Sequence, residues 1–131
     1  MVGAAGDPWG LNMRVLAFED HVDIEALLTS GSVKTAELSF EQRWTSEDAL
    51  EHVERVRPDV LLLDHFMPPT TGLDVLDAVL KAVDAGRMVR PTTIVAMSSE
   101  PSCNDAMLSR GADHGIVKHR VATLDIWPRG Q

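Results

Sequence analysis

A run of four apolar residues between two aspartates constrains this chain more than any other feature. The segment is Asp59-Val60-Leu61-Leu62-Leu63-Asp64, and no polar residue interrupts it. Such a run is typical of a central strand in a parallel sheet, because helices cover both faces of that sheet. The sequence therefore predicts an α/β protein in which Asp64 stands at the carboxyl end of a buried strand.

Apolar strand-like runs alternate with helical patterns along the rest of the chain. The spacing predicts helices that begin near Val22, Thr45, Leu73 and Ser102. A weak capping box of Thr45 and Asp48 supports the second of these. Strands that alternate with helices imply a doubly wound parallel sheet with right-handed crossovers. The predicted strands cover residues 14–18, 33–40, 60–63, 92–97 and 115–118, and a short last helix falls within 121–127.

Length and charge exclude several classes of protein. The chain has 131 residues, which suits one domain over residues 13–131 behind a flexible tail of residues 1–12. Its 12 basic and 20 acidic side chains give a net charge of −8, which argues against a nucleic-acid partner. The single cysteine, Cys103, rules out an intrachain disulfide framework. A single cysteine suits a reducing compartment, so a cytoplasmic protein is predicted. No apolar run approaches the length of a membrane span, so no membrane partner is expected.

Chemically useful side chains follow four of the five predicted strands. The first strand ends in Glu19-Asp20, the third in Asp64, the fourth in Ser98 and the fifth in Lys118. In an open parallel sheet these ends meet at one edge, where such proteins bind ligands. Clustered carboxylates repel one another unless a cation joins them, and Mg²⁺ suits such oxygen ligands. A carboxylate can also attack phosphorus to form an aspartyl phosphate, whose charge a metal and a lysine would offset.

The chain resembles the receiver domains of bacterial two-component response regulators, in particular single-domain regulators of the chemotaxis type. Its strand-end motifs follow one another in the order found in that family. The resemblance covers about residues 13–121. It implies the flavodoxin-like fold, with five parallel strands in the order 2-1-3-4-5. The motifs that carry it are Arg14 to Asp20, Pro58 to Pro68 with Gly72 to Leu76, Ile94 to Ser99, and Gly111 to Asp113 with Ile116 to Lys118.

The resemblance also implies a function in a phosphorelay. A histidine kinase or a histidine phosphotransfer protein would phosphorylate the domain with Mg²⁺, and an unknown downstream protein would read the result. The domain would be a monomer or a phosphorylation-dependent dimer. It would not be an enzyme beyond its own phosphorylation and slow autodephosphorylation. The implied roles are Asp64 as phosphoacceptor, Glu19, Asp20, Asp64 and the Phe66 carbonyl as metal ligands, Ser98 and Lys118 as phosphoryl-binding groups, and Phe66 and Glu100 as side chains that tune the phosphoryl lifetime.

Three departures from the family pattern bear on the output. Gly115 stands where the family commonly has an aromatic switch residue, and the chain contains no tyrosine. His119 follows Lys118 where the family often has a proline with a cis bond. The last helix is short and is broken by Trp127-Pro128. These departures leave open a degenerate receiver that acts as a phosphate-independent interaction module.

A phosphohydrolase with an aspartate nucleophile is a third interpretation. Such an enzyme needs an acid or base beside the nucleophile, and the position two residues after Asp64 holds Phe66 instead. The sequence also shows no substrate domain. This interpretation is therefore the weakest of the three.

Overall fold

The computed structural model describes residues 12–129, and five parallel strands form its main sheet. The sheet order is β2-β1-β3-β4-β5, which confirms the predicted doubly wound, flavodoxin-like arrangement. The predicted tail lies outside the described residues except for Asn12. The strands are β1 (Met13–Phe18), β2 (Leu38–Arg43), β3 (Val60–Leu63), β4 (Thr93–Ala96) and β5 (His114–Gly115).

Helices cover both faces of this sheet. One face packs against α1 and the C-terminal segment, and the other packs against α2, α3 and α4. All four residues of β3 are buried, with Leu62 on the first face and Leu61 and Leu63 on the second, as expected for the central strand. No helix among residues 12–129 is long and apolar enough to cross a bilayer. The helices are α1 (Ile24–Ser30), α2 (Ala49–Val56), α3 (Gly72–Asp84) and α4 (Pro101–Arg110).

Two strand predictions were wrong in their bounds. The second strand was predicted at 33–40, but β2 begins at Leu38, after a 3-10 turn at Thr35–Glu37. Val33 instead forms an isolated antiparallel bridge with Arg129. The fifth strand was predicted at 115–118, but β5 ends at Gly115, where its pairing with β4 stops.

Two helix predictions were also wrong: the helix predicted to begin near Thr45 and the last helix predicted within residues 121–127. Helix α2 begins at Ala49, and its N-cap residue Asp48 has a left-handed backbone, so no Thr45–Asp48 capping box forms. The last helix is a 3-10 helix, Lys118–Thr123, so Lys118 begins a helix and does not end a strand. After it the chain turns back over α1, where Trp127 is buried and its Nε1 donates to the Val121 carbonyl at 3.0 Å.

Candidate functional site

The carboxylates predicted at the strand ends meet in one pocket. The Asp64 amide donates to the Phe18 carbonyl at 3.0 Å, which sets the end of β3 beside the end of β1. One carboxylate oxygen from each of Glu19, Asp20 and Asp64 lies within 4.8 Å of the others. Glu19 and Asp64 are buried, whereas Asp20 is exposed. The pocket therefore opens to solvent on the Asp20 side.

Lys118 lies in the same pocket and pairs with two of these acids. Its Nζ is 2.8 Å from Glu19 Oε1 and 3.6 Å from Asp64 Oδ2. The second oxygen of Glu19 accepts hydrogen bonds from the amides of His21 at 2.9 Å and Val22 at 2.8 Å. Both oxygens of Glu19 are thus engaged, and the ammonium lies closer to Glu19 than to the predicted phosphoacceptor.

One ammonium does not neutralise three carboxylates, and the pKa of Asp64 reflects this. Burial and the neighbouring Glu19 charge raise that pKa to about 6, although Lys118 and a hydrogen bond from the His65 amide act in the opposite direction. Burial on its own would lower the pKa of Lys118. The hydrogen bond to Glu19 and the charges of Asp64 and Glu19 outweigh burial and raise it. Lys118 therefore stays an ammonium at neutral pH.

Ser98 follows β4 beside this pocket, as the sequence predicts. The Met97 amide donates to the Leu63 carbonyl at 2.9 Å, so the chain after β4 runs alongside the end of β3. The Ser98 side chain is fully buried, and its Oγ accepts a hydrogen bond from the Glu100 amide at 3.0 Å. This contact uses a lone pair of the oxygen, so the hydroxyl proton can be donated to another group.

Curated relatives match most of this chain, although no family model does. The transcriptional regulatory protein PrrA of Mycobacterium leprae is 31% identical over 107 residues, which are 80% of this chain and 43% of PrrA. A protein-glutamate methylesterase/protein-glutamine glutaminase of Maricaulis maris is 30% identical over 112 residues, 85% of this chain and 27% of the relative. The chain thus spans less than half the length of either relative.

Solved structures agree with these relatives. The signal receiver domain of the putative response regulator NarL from Mycobacterium tuberculosis superposes with a TM-score of 0.65 at 26% identity. The match covers 86% of this chain and 88% of that domain. The chain is a response-regulator receiver domain. Only 27% of the methylesterase is matched by this chain, so the similarity extends to one part of that protein.

The acid pocket of this receiver domain fits a divalent cation. Three carboxylates and one ammonium leave two negative charges uncompensated when all four groups are ionised. The ligand atoms are carboxylate oxygens, which hard cations such as Mg²⁺ prefer, and Asp20 faces solvent, where bound water can complete the shell. Because both Glu19 oxygens already have partners, Asp20 and Asp64 are the side chains best placed to bind a metal directly.

Three other predicted positions of the receiver domain lie at or after strand ends at the same edge of the sheet. Phe66 belongs to a two-residue hairpin strand, Phe66–Met67, with its side chain 57% exposed. Glu100 is the exposed N-cap residue of α4. Gly115 ends β5, and a Cβ added there would lie 3.0 Å from Leu108 Cδ1 and 3.2 Å from Asn104 Cβ. The space beside Gly115 is therefore already filled by α4.

Three polar side chains that the sequence analysis missed hold the loops of the pocket. Gln42 donates to the carbonyls of Glu19 at 3.0 Å and Val22 at 2.9 Å, and so fixes the loop after β1. Ser46 donates its hydroxyl to the Met67 carbonyl at 2.6 Å and fixes the loop after β3. Asn104 fixes the loop after β4. A polar residue on an otherwise apolar face, such as Asn104 three residues before the buried Met107, is the signal that could have identified one of them.

Proposed function

We propose that this receiver domain accepts a phosphoryl group on Asp64 from a phosphohistidine of a kinase or phosphotransfer protein. The observation that carries the proposal is the setting of Asp64: a buried carboxylate whose pKa rises to about 6 beside two further acids and Lys118. Perturbed carboxylates in such clusters are typical of functional sites. The similarity to the signal receiver domain of a putative response regulator supports a receiver function for this chain.

Several residues of the pocket contribute to the phosphoryl transfer. An Asp64 oxygen attacks the phosphorus, a new oxygen–phosphorus bond forms, and the nitrogen–phosphorus bond of the donor histidine breaks with its electron pair left on the imidazole. The Lys118 ammonium, 3.6 Å from Asp64, stabilises the negative oxygens of the phosphoryl group, and Ser98 donates its hydroxyl proton to one of them. Asp20 and Asp64, with Glu19 as the third acid of the cluster, would hold Mg²⁺, which supplies further positive charge when bound.

Loss of the Asp64 carboxylate is the direct test of this function. We expect wild-type protein to become phosphorylated by acetyl phosphate with Mg²⁺, and the Asp64→Asn variant to show no phosphorylation by intact mass spectrometry, because an amide is not a nucleophile toward phosphorus. Asp84→Asn is the matched control, since Asp84 is an exposed residue at the end of α3. Labelling that persists in Asp64→Asn at the wild-type level would refute the assignment of Asp64.

The Mg²⁺ affinity of a variant tests whether the acids bind metal, independently of phosphorylation. We expect Asp20→Asn to weaken Mg²⁺ binding by about tenfold or more, because it removes a charged ligand that faces solvent. Calorimetry or a fluorescence titration at pH 7.5 measures this, again with Asp84→Asn as control. Equal affinities of wild type and Asp20→Asn would exclude Asp20 as a ligand.

A phosphate-independent interaction module is the second candidate. The observation that favours it is the absence of a side chain at Gly115, beside which Leu108 and Asn104 fill the space. A backbone NMR titration with Mg²⁺ and then beryllofluoride separates the two functions. Shifts that spread from Asp64 to Ser98 and Gly115 support a phosphorylation switch, whereas shifts confined to the Mg²⁺ site support a fixed module.

A further inference from the structure

Asn104 is a buried polar residue that the proposed chemistry does not use. It lies on α4, and only 4% of its surface is exposed. Its Oδ1 accepts from the Ser98 amide at 2.8 Å, and its Nδ2 donates to the carbonyls of Ser98 at 3.0 Å and Ile116 at 3.1 Å. One side chain therefore holds both backbone groups of Ser98 and also the chain that leads to Lys118.

These three hydrogen bonds continue the β4–β5 pairing beyond the end of the strands. The last paired residues are Ala96 and Gly115, and the Ile116 amide still donates to the Ala96 carbonyl at 2.9 Å. Among the described residues, no further backbone hydrogen bond joins the two segments beyond that one, and Asn104 bridges Ser98 on one segment to Ile116 on the other. Lys118 lies two residues after Ile116. The position of Ser98 relative to Lys118 thus depends on the side-chain amide of Asn104.

The same region has no room for a side chain on β5 that could make the connection instead. A Cβ on Gly115 would lie 3.2 Å from the Asn104 Cβ and 3.0 Å from Leu108 Cδ1, which is tighter than ordinary contact. Asn104 touches both segments from the helix side. It is the side chain in this region that joins the loop after β4 to the end of β5.

We propose that Asn104 is a positioning residue that couples Ser98 to Lys118, so that both hold a phosphoryl group on Asp64 together. The inference rests on the proposed phosphoacceptor function and adds to it the element that links the two phosphoryl-binding groups. Asn104 acts through the backbone of Ser98 and Ile116 and touches neither metal nor phosphoryl group. It should therefore affect phosphoryl binding without affecting metal binding.

The test compares two affinities in one variant. Asn104→Ala removes all three hydrogen bonds, and we expect beryllofluoride, measured with saturating Mg²⁺, to bind about tenfold or more weakly while the Mg²⁺ affinity stays within about twofold of wild type. Asp105→Ala, an exposed neighbour on the same helix, should match wild type in both measurements. If Asn104→Ala does not fold, Asn104→Leu keeps the branching of the side chain at Cγ and removes the same hydrogen bonds. Unchanged beryllofluoride affinity in the folded variant overturns the inference.

NMR spectra without any ligand distinguish failure of this inference from failure of the proposed function. If wild-type protein does not bind beryllofluoride, the phosphoacceptor function fails. The Asn104 inference is then judged by the resonances of Lys118, including its side chain, which should shift in Asn104→Ala while those of Asp20 stay in place. Shifts limited to the residues around Ser98 and Asn104 would show a local structural role and overturn the coupling.

Discussion

Replacing Gly72 with alanine should destabilise the receiver domain by about 3 kcal/mol, the upper end of the usual cost of overpacking. A Cβ at Gly72 would lie 2.0 Å from the Asp64 carbonyl oxygen and 2.9 Å from its carbonyl carbon. Both atoms belong to the backbone, so no side-chain rotation can relieve the clash. The Gly72 amide also donates to the His65 carbonyl at 2.7 Å, which ties α3 to the end of β3.

Because the clash moves the backbone of Asp64, Gly72→Ala should also weaken Mg²⁺ binding. Urea unfolding followed by circular dichroism gives the change in stability, and an Mg²⁺ titration of the folded fraction gives the second effect. Gly86→Ala is an informative control, since its Cβ meets no atom within 4 Å but its φ of +74° disfavours a side chain. We expect it to cost about 1 kcal/mol, the lower end of the usual penalty for a side chain in the left-handed conformation, and to leave Mg²⁺ affinity unchanged. A Gly72→Ala variant as stable as wild type would contradict the packing described for this loop.

The parts of the fold that sequence predicts well are those specified by local pattern. Strand β3 is recognisable because both of its faces are buried, so its four residues are uniformly apolar. Helix α3 is recognisable by its apolar spacing, and its N-terminus carries the capping box of Thr71 and Asp74. The ends of β1, β3 and β4 then bring Glu19, Asp20, Asp64 and Ser98 to one edge through topology alone.

The parts that sequence predicts poorly depend on contacts between distant residues. Val33 carries a strand-like pattern, but its bridge partner is Arg129, far along the chain. Ile116 and Val117 look like strand residues, yet pairing with β4 ends at Gly115 and a 3-10 helix begins at Lys118. The apolar spacing that suggested a last helix belongs to residues that pack individually against α1, with Trp127 held through its ring nitrogen.

The candidate site shows the same division. Charged residues after strands are visible in the sequence, but of the side chains that orient the loops only Asn104 leaves a sequence signal, as a polar residue on an apolar helix face. Gln42, Ser46 and Asn104 each hold a backbone segment on a different element, and nothing in their local sequence identifies the partner. The preference of Lys118 for Glu19 over Asp64 also depends on side-chain reach, which strand spacing does not specify.

The Asp64→Asn variant should be more stable than wild type in metal-free buffer at pH 7.5, by about 1–3 kcal/mol. The pKa of Asp64 rises from 3.8 to about 6 on folding, so the native state binds this proton more tightly than the unfolded chain does. The free energy of unfolding of wild type therefore falls as the pH rises from about 4 to about 6, and the penalty is complete above that window. Asparagine carries no charge, so the Asp64→Asn variant does not lose stability in this way.

Urea unfolding in EDTA at pH 4 and pH 7.5 measures this difference directly. The stability gap between Asp64→Asn and wild type should be small at pH 4, where Asp64 is largely protonated in the native state, and should reach its full size at pH 7.5. Saturating Mg²⁺ should narrow or reverse the gap at pH 7.5, because a ligand that binds only the native wild-type pocket stabilises it. Asp84→Asn, remote from the pocket, should show neither effect. A wild type that is more stable than Asp64→Asn in EDTA at pH 7.5 would mean that Lys118 outweighs both burial and Glu19, and that the pocket needs no cation.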